Sequence, residues 1–329
     1  NFDDERLYGM QAEQLDLILQ ANYSVREEKP ILFFDEIQNV KGWENFARRL
    51  ANQKYEVYIT GSNAKMLSRD IQTVLGGRYI DIAVYPFSFK EFLSAKGIKL
   101  GSRWQYGQKR GEIERAFEEY FQWGGFPELV RFKEKRVWLN GLYNRIFFND
   151  LIVRNKIKNE EGLRLTLRKL AESLCQPLSY TRLCNMIKAV GVSCSTSTVI
   201  EYINHFTDSC LIFPVQNFAS RFVEKATTKK FYFVDNGLLN LFLLNNQSAL
   251  LENICAIEMQ KRYNSRLYYY LHNIEVDFYV PEENLAVQVS YKLNDENTIK
   301  RETNALAKLH QLHPLEKALI ITKDEEKTI

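Results

Sequence analysis

The sequence lacks the features of a secreted, membrane-spanning or disordered chain. No apolar run approaches the roughly 18 residues that a membrane-spanning helix needs. No signal-peptide pattern follows Asn1. The 5 cysteines have no CxxC or zinc-type spacing, and their odd number favours reduced thiols. With 7 Pro and 15 Gly, collagen-like or linker-like character is excluded. We therefore predict a cytoplasmic protein that does not contact a membrane.

The composition is that of a globular protein. Hydrophobic residues make up 45% and charged residues 26% of the chain, which excludes a disordered polypeptide. A length of 329 residues predicts two or three domains of about 100–200 residues each. Lys and Arg number 44 against 41 Asp and Glu, so the net charge is only +3 and the whole chain is not a polycation.

The first 95 residues alternate apolar, strand-like segments with segments of helical spacing. The predicted strands are 31–34, 55–60 and 78–84, and the predicted helices are 10–20, 43–51 and a segment that begins at Ala64. Such alternation favours an α/β domain with a parallel sheet covered on both faces. Ligands of such a sheet bind at the carboxyl ends of its strands.

Two acids, Asp35 and Glu36, directly follow the apolar run 31–34. A carboxylate in this position can bind Mg²⁺, and a second one can polarise a water for attack on a phosphoryl group. Ser62 and Asn63 follow the next predicted strand, where they could hydrogen-bond the attacking water or a γ-phosphate. The alternative is that they form only a turn and a helix cap.

The middle of the chain, residues 96–220, is predicted to be mainly helical and locally basic. Residues 131–190 contain 13 Lys and Arg against 5 acids, an excess of 13 − 5 = +8. A helix begins near 178–183, a Gly-containing turn follows, and Ser and Thr at 195–198 can cap a second helix before a strand at 211–215. This order is typical of a winged helix-turn-helix, in which the second helix enters a DNA groove.

The residues predicted to contact DNA are Arg182, Ser195, Thr196 and Thr198. Two alternatives remain. The basic stretch could be an ordinary solvated helical face, and the helix-turn-helix could serve only packing or protein contacts.

Residues 221–329 are predicted to form a small α/β domain. The predicted helices are 251–262 and 298–311, and the predicted strands are 267–271, 275–280, 284–290 and 318–322.

Six short motifs occur in order along the chain. They are Phe33-Phe-Asp-Glu-Ile-Gln38, Trp43-Glu-Asn-Phe-Ala-Arg-Arg-Leu50, Ile59-Thr-Gly-Ser-Asn63, Leu75-Gly-Gly-Arg78, Pro86-Phe-Ser-Phe-Lys-Glu-Phe92 and Trp123-Gly-Gly-Phe-Pro-Glu128. Together they resemble the AAA-type bacterial and archaeal ATPases whose C-terminal half is of unknown function. The resemblance implies a P-loop-type ATPase fold in which Asp35 and Glu36 are the Walker B pair and Asn63 is the sensor. It also puts Arg78 where a sensor or arginine finger is expected; an exposed surface arginine is the alternative.

The chain departs from that family in one respect. It contains no G-x-x-x-x-G-K-[ST] phosphate loop. In the family this loop precedes the segment that residues 1–6 resemble, so we expect the leading strand, the loop and the first helix to be missing from the sequence. ATP and Mg²⁺ are therefore expected as cofactors of the complete protein, with weak or no nucleotide binding by this chain alone.

The last domain resembles the restriction-endonuclease-like core. Its candidate site residues are Glu252 or Glu258, Asp277, Gln288, Ser290 and Lys292. In that core, acids and a lysine hold Mg²⁺ and water at a phosphodiester. The expected E-x-K pattern here reads Gln288 and Ser290, with Lys292 two positions late. We therefore predict a fold kept for DNA or protein binding, with an active nuclease as the alternative.

The leading hypothesis from the sequence is an ATPase that couples ATP binding and hydrolysis to a DNA-binding module. The alternative is a nucleotide-dependent, protein-binding regulatory scaffold with a degenerate nuclease-like domain. An arginine finger supplied by a neighbouring subunit would require an oligomer.

Overall fold

The computed structural model describes most of the chain. The described residues are 1–61, 76, 79–101, 104–107, 109–243, 246–293 and 295–324. The chain divides into two compact units, Asn1–Val84 with Asp208–Cys210 and Tyr85–Thr207 with Leu211–Ile329. We call these the N-terminal unit and the C-terminal unit. The three-part division at 95 and 220 stays a prediction. No helix within the described ranges is both long and apolar enough to cross a bilayer.

The N-terminal unit contains a parallel strand pair, as predicted. Strand β1 (Leu32–Phe34) pairs in parallel with β2 (Val57–Ile59). The α-helices among the described residues of this unit are α1 (Asp16–Tyr23) and α2 (Trp43–Asn52). Helix α2 buries four residues at helical spacing, and these pack with β1 in one apolar core. The members of that core on β1 and α2 are Leu32, Phe34, Trp43, Phe46, Ala47 and Leu50.

The other face of this strand pair is open within the described residues. The rings of Phe33 and Tyr58 are 72% and 45% exposed and stack on each other with centroids 4.9 Å apart. The prediction of a sheet covered on both faces is therefore not met there. The predicted strand at 78–84 is wrong for its described part, because residues 79–84 are not part of any strand. Their alternating apolar side chains, Ile80, Ile82 and Val84, are exposed.

The first half of the C-terminal unit is helical, in agreement with the sequence pattern. Its helices are α3 (Phe89–Ala95), α4 (Arg110–Trp123), α5 (Lys135–Arg145), α6 (Glu160–Glu172), α7 (Tyr180–Lys188) and α8 (Thr196–Asp208). A π-helical segment, Ile146–Val153, continues α5. Helix α3 begins with a capping box, in which the Ser88 hydroxyl accepts from the Glu91 N–H and the Glu91 carboxylate accepts from the Ser88 N–H.

A seven-stranded mixed sheet forms the rest of the C-terminal unit, in the order β3-β5-β4-β6-β7-β8-β9. The strands are β3 (Leu178–Ser179), β4 (Ile212–Asn217), β5 (Thr228–Phe233), β6 (Tyr268–Leu271), β7 (Glu275–Val280), β8 (Leu285–Val289) and β9 (Lys317–Ile321). The remaining helices are α9 (Phe222–Thr227), α10 (Asn236–Asn240), α11 (Gln247–Tyr263) and α12 (Glu296–Leu312). Parallel pairing of β4 with β6 joins the hairpin β4–β5 to the four later strands.

Candidate functional site

The acids of the N-terminal unit lie at the carboxyl end of β1. Asp35 and Glu36 directly follow this strand, and Thr60 directly follows the parallel strand β2. The Thr60 hydroxyl donates to Asp35 Oδ1, and the Thr60 N–H donates to the Phe34 carbonyl at 2.9 Å. The ends of the two strands are therefore adjacent, and a hydroxyl from the second strand orients the aspartate. Thr60 was not among the predicted site residues, although its place at the end of the second strand pointed to it.

Glu36 has an uncommon backbone conformation. Its φ of 54° lies in the left-handed region, and the residue is the N-cap of the short 3₁₀ helix Ile37–Asn39. The side-chain amide of Gln38 donates to its carboxylate. The turn places Asp35 and Glu36 side by side, both partly exposed, after the strand. The other predicted members of this site, Ser62, Asn63 and Arg78, lie outside the described residues, so their roles stay predictions.

A second acidic cluster lies in the C-terminal unit around Lys230. The lysine is on β5 and its side chain is 0% exposed. Its Nζ is 3.1 Å from Asp277 Oδ1 and 3.5 Å from Glu252 Oε1. It is also 3.0 Å from Glu275 Oε1. Lys230 belongs to neither the predicted site nor any motif recognised in the sequence.

The charge state of Lys230 follows from a competition between burial and its neighbours. Burial alone would lower the pKa of a lysine, but the carboxylates of Glu252, Asp277 and Glu275 outweigh it and raise the Lys230 pKa. Burial raises the pKa of Glu252, although the Lys230 ammonium acts against this shift. The Tyr232 hydroxyl also donates to Glu252 Oε1, at 2.7 Å. The lysine is therefore a buried ammonium ion that neutralises part of a buried acidic cluster.

Gln288 is tied to the backbone around this cluster. Its Oε1 accepts from the Asp277 N–H at 2.8 Å, and its Nε2 donates to the Glu275 carbonyl at 3.1 Å and to Glu302 Oε2 at 2.8 Å. The second oxygen of Asp277 accepts from the Val289 N–H at 2.9 Å. Gln288 thus fixes the spacing of β7 and β8, and its oxygen is already used by a backbone donor.

The remaining nuclease-like candidates are Glu258, Ser290 and Lys292, whereas the acids that pair with Lys230 are Glu252, Glu275 and Asp277. Glu258 pairs with Arg262 at 2.9 Å on the exposed side of α11. The Ser290 hydroxyl donates to the Lys292 carbonyl at 3.1 Å, and the Lys292 side chain is exposed. Of the predicted set, the structure therefore brings Glu252, Asp277 and Gln288 together.

The predicted DNA-binding residues lie on α7 and at the start of α8. Arg182 is an exposed residue in the first turn of α7. Ser195 precedes α8, where its hydroxyl accepts from the Thr198 N–H at 3.1 Å and lies 2.7 Å from the Thr198 hydroxyl. Thr196 begins α8 and is half-buried. Ser195 and Thr198 therefore cap the helix, which favours in part the alternative of a structural role.

A third polar site, around Asp235, joins the end of α4 to the start of α10. Asp235 accepts from the Gly125 N–H at 2.7 Å and from the Gly237 N–H at 2.8 Å. Burial raises its pKa to about 6, while these backbone donors act in the opposite direction. A Cβ on Gly124 would lie 1.9 Å from Asp235 Oδ1. The Trp-Gly-Gly motif at 123–125 is thus explained by close packing against a buried carboxylate.

Two family models match separate parts of the chain, and two relatives match most of it. A family model described as an AAA domain matches residues 1–93, and one described as a domain of unknown function, DUF8612, matches residues 114–249. The uncharacterized protein MJ1544 of Methanocaldococcus jannaschii is 33% identical over 318 residues, which cover 94% of this chain and 71% of that protein. An uncharacterized protein of Haemophilus influenzae is 32% identical over 338 residues, covering 100% of this chain and 81% of its own length.

One solved structure is also similar. It is the Walker-type ATPase PABY2304 of Pyrococcus abyssi, with a TM-score of 0.42 and 16% sequence identity. The likeness covers 64% of this chain and 62% of that one.

Proposed function

Because this chain belongs to the same family as these archaeal and bacterial proteins and its residues 1–93 match an AAA domain, we propose that it couples ATP binding and hydrolysis to a DNA-binding module. The observation that carries the ATPase part is the contact between Asp35 and Thr60 at the ends of two parallel strands. Asp35 would bind Mg²⁺ and Glu36 would activate the attacking water. Ser62, Asn63 and Arg78 keep the roles given to them from the sequence, with ATP and Mg²⁺ as cofactors.

The ATPase proposal is tested by separating binding from hydrolysis in the full-length protein. Glu36→Gln removes the group that activates water but keeps the size of the side chain, so we expect turnover to fall by about 100-fold or more with ATP binding retained. Glu28→Gln, an exposed acid away from the strand ends, is the matched control. Unchanged turnover in Glu36→Gln would remove this residue from the mechanism.

The C-terminal unit supplies the proposed DNA-binding module. Helices α7 and α8 are joined by residues 189–195 and followed by the antiparallel hairpin β4–β5, an order that supports a winged helix-turn-helix. The exposed part of α8 carries Glu201 and no Lys or Arg. The positive charge lies instead on neighbouring segments, including Arg182 and Lys188 of α7. We therefore propose contacts to DNA phosphates rather than base reading by basic side chains of α8.

This proposal predicts a steep dependence of duplex affinity on salt. Removing one side chain that binds a phosphate should reduce the slope of log K against log[salt] by about 0.9. Arg182→Ala combined with Lys188→Ala should therefore lower that slope by about 2, as measured by fluorescence anisotropy on non-specific duplex DNA. Lys300→Ala, a charge removed from the exposed face of α12, is the control.

The second candidate function is a protein-binding regulatory scaffold. Two apolar side chains on α9, Phe222 and Val223, are 87% and 70% exposed, which favours a protein contact. A flat salt dependence and no retention on duplex DNA would select this candidate over the first. A cytoplasmic location and an oligomeric ATPase remain parts of the proposal that rest on the sequence.

We also propose that the endonuclease-like part of the unit does not cut DNA. Helix α11, strands β6–β9 and helix α12 have the order expected of such a core, and Glu252 and Asp277 meet there at Lys230. Gln288 stands where a carboxylate ligand is expected, with its oxygen bonded to the backbone. A plasmid-nicking assay with Mg²⁺ or Mn²⁺ is the test, and cutting that is lost in Asp277→Ala would overturn the proposal.

A further inference from the structure

Lys230, the buried lysine of the C-terminal unit, has one carboxylate oxygen for each of its N–H donors. A lysine ammonium has three N–H donors. Lys230 Nζ has three acidic oxygens within 3.0–3.5 Å, one each from Glu275, Asp277 and Glu252. Because its side chain is fully buried, no donor is directed to solvent. Lys230 therefore acts as the central cation of this cluster and is not available to an incoming phosphate.

The surrounding acids have the chemistry of a metal site. Three carboxylates around one ammonium give a local sum of −2 when all are ionised, and carboxylate oxygens are the ligands that Mg²⁺ and Mn²⁺ prefer. Among the described residues, however, no group of three His, Cys, Asp or Glu is arranged to hold a metal ion. At the one place where Glu252, Glu275 and Asp277 converge, the space between them contains Lys230 Nζ.

We propose that Lys230 fills, with its own ammonium, a cation position formed by Glu252, Glu275 and Asp277, and that this position accepts a divalent cation such as Mg²⁺ or Mn²⁺ only when the ammonium is removed. The lysine reaches this position from β5, whereas Glu275 and Asp277 lie on β7 and Glu252 on α11. The inference does not depend on DNA binding or on ATP hydrolysis. In the parent protein the Lys230 ammonium compensates the charge of these carboxylates, and no metal is needed for that.

An ion would reach the vacated position from the side of Glu275, the most exposed of the three carboxylates. Its side chain is 46% exposed, whereas those of Asp277 and Glu252 are 15% and 10% exposed. A hydrated divalent ion could thus meet Glu275 first and exchange waters for the two deeper carboxylates. Lys230→Ala removes both the charge and the volume of the side chain, so it opens the position. Lys230→Met removes the charge but leaves the volume filled.

The test measures Mn²⁺ binding by the whole chain in an Asp35→Asn background, so that a metal at the other acids is not counted. Electron paramagnetic resonance titration should detect one added Mn²⁺ site in Lys230→Ala. Its Tm should rise by about 5–10 °C at an Mn²⁺ concentration of about 100 times Kd. The parent chain, Lys230→Met and Lys229→Ala should show neither effect. Lys229 is the adjacent lysine, with a partly exposed side chain, and controls for loss of charge.

Two results would overturn the proposal. One is a folded Lys230→Ala whose Tm and Mn²⁺ spectrum do not respond to the ion. The other is Mn²⁺ binding by the parent chain that disappears in Asp277→Asn, since the position would then hold metal with the lysine present. If Lys230→Ala does not fold in buffer alone, it is refolded with Mn²⁺: recovery of folded protein supports the proposal, and failure counts against it. The Mn²⁺ titration is repeated with Lys230→Ala combined with Glu252→Gln, which buries one charge fewer. This double variant has two carboxylates at the position and should bind Mn²⁺ more weakly than Lys230→Ala.

Discussion

Two acidic sites among the described residues both have carboxylates at an apolar strand. They differ in exposure and in whether a buried ammonium lies beside the carboxylates. In the N-terminal unit, Asp35 and Glu36 follow a strand and are partly exposed, and Asp35 accepts a hydrogen bond from the Thr60 hydroxyl. In the C-terminal unit, Asp277 lies within a strand next to a buried ammonium. A carboxylate on a buried strand is therefore available to an external cation only if the fold does not supply an internal one.

Removing that internal cation should produce the largest difference between the two sites. Lys230→Met leaves buried carboxylates uncompensated, and we expect the free energy of unfolding to fall by about 3–5 kcal/mol. Asp35→Asn at the partly exposed site should change it by less than about 1 kcal/mol. Urea denaturation followed by circular dichroism measures both. Equal effects of the two substitutions would mean that Lys230 does not carry the charge balance of its cluster.

The glycines around Asp235 provide a second test of how tightly the buried acids of the C-terminal unit are enclosed. Gly124 has a φ of +79°, and a Cβ there would lie 1.9 Å from Asp235 Oδ1. Overpacking and backbone strain together should cost Gly124→Ala about 3 kcal/mol. Gly141→Ala is the matched control, because it lies within α5 and nothing is within 4 Å of its Cβ position. That control should stabilise the protein by about 0.5–1 kcal/mol.

Because the pKa of Asp235 is raised, the contribution of this residue to protein stability depends on pH. Burial raises this pKa to about 6 from an ordinary 3.8, so between these values the folded state retains a proton that the unfolded state has lost. The contribution of Asp235 to stability therefore falls as pH rises through this window, by about 3 kcal/mol in all. The nearby Lys261 ammonium acts in the opposite direction on this pKa, and burial lowers the pKa of Lys261 itself.

Asp235→Asn isolates this effect. The stability of the parent protein relative to the variant should decrease by about 2.4 kcal/mol between pH 4 and pH 7, measured from urea midpoints at each pH. Any acid elsewhere in the chain affects both proteins equally and cancels in the difference. Parallel pH profiles for the two proteins would show that folding does not raise the pKa of Asp235.

The sequence located the later strands of the C-terminal unit because their signals are local, whereas strand β5 was not predicted. Predicted strands at 275–280 and 284–290 occur at Glu275–Val280 and Leu285–Val289. The strand predicted from the alternating residues at 78–84 failed, because alternation indicates a buried face only where a neighbouring strand pairs with the segment. Periodicity therefore locates elements but does not show which of them pair.

The candidate sites were predictable only in part, for a related reason. The adjacency of Asp35 to the end of β2 followed from parallel pairing, which sequence alternation indicates. Lys230 was missed, although a lysine two positions before Tyr232 in the apolar strand β5 is a signal, since a charge on a buried strand face requires a partner. The partners Glu252 and Asp277 are 22 and 47 residues away. Contacts over such separations depend on the order of strands in the sheet.

The smallest expected effect concerns the hydroxyl that orients Asp35. Thr60→Val keeps the shape of the side chain and removes its donor to Asp35 Oδ1. Because the contact is partly exposed, the free energy of unfolding should fall by no more than about 1 kcal/mol. The Mg²⁺ concentration for half-maximal ATP hydrolysis by the full-length protein should rise about threefold to fivefold, since the carboxylate loses a fixed orientation. Thr60→Ser, which restores the hydroxyl, should return both values to those of the parent. If the Mg²⁺ dependence is identical in Thr60→Val and the parent, the contact between Thr60 and Asp35 has only a structural role. Asp35 would then have no orienting partner in the proposed mechanism.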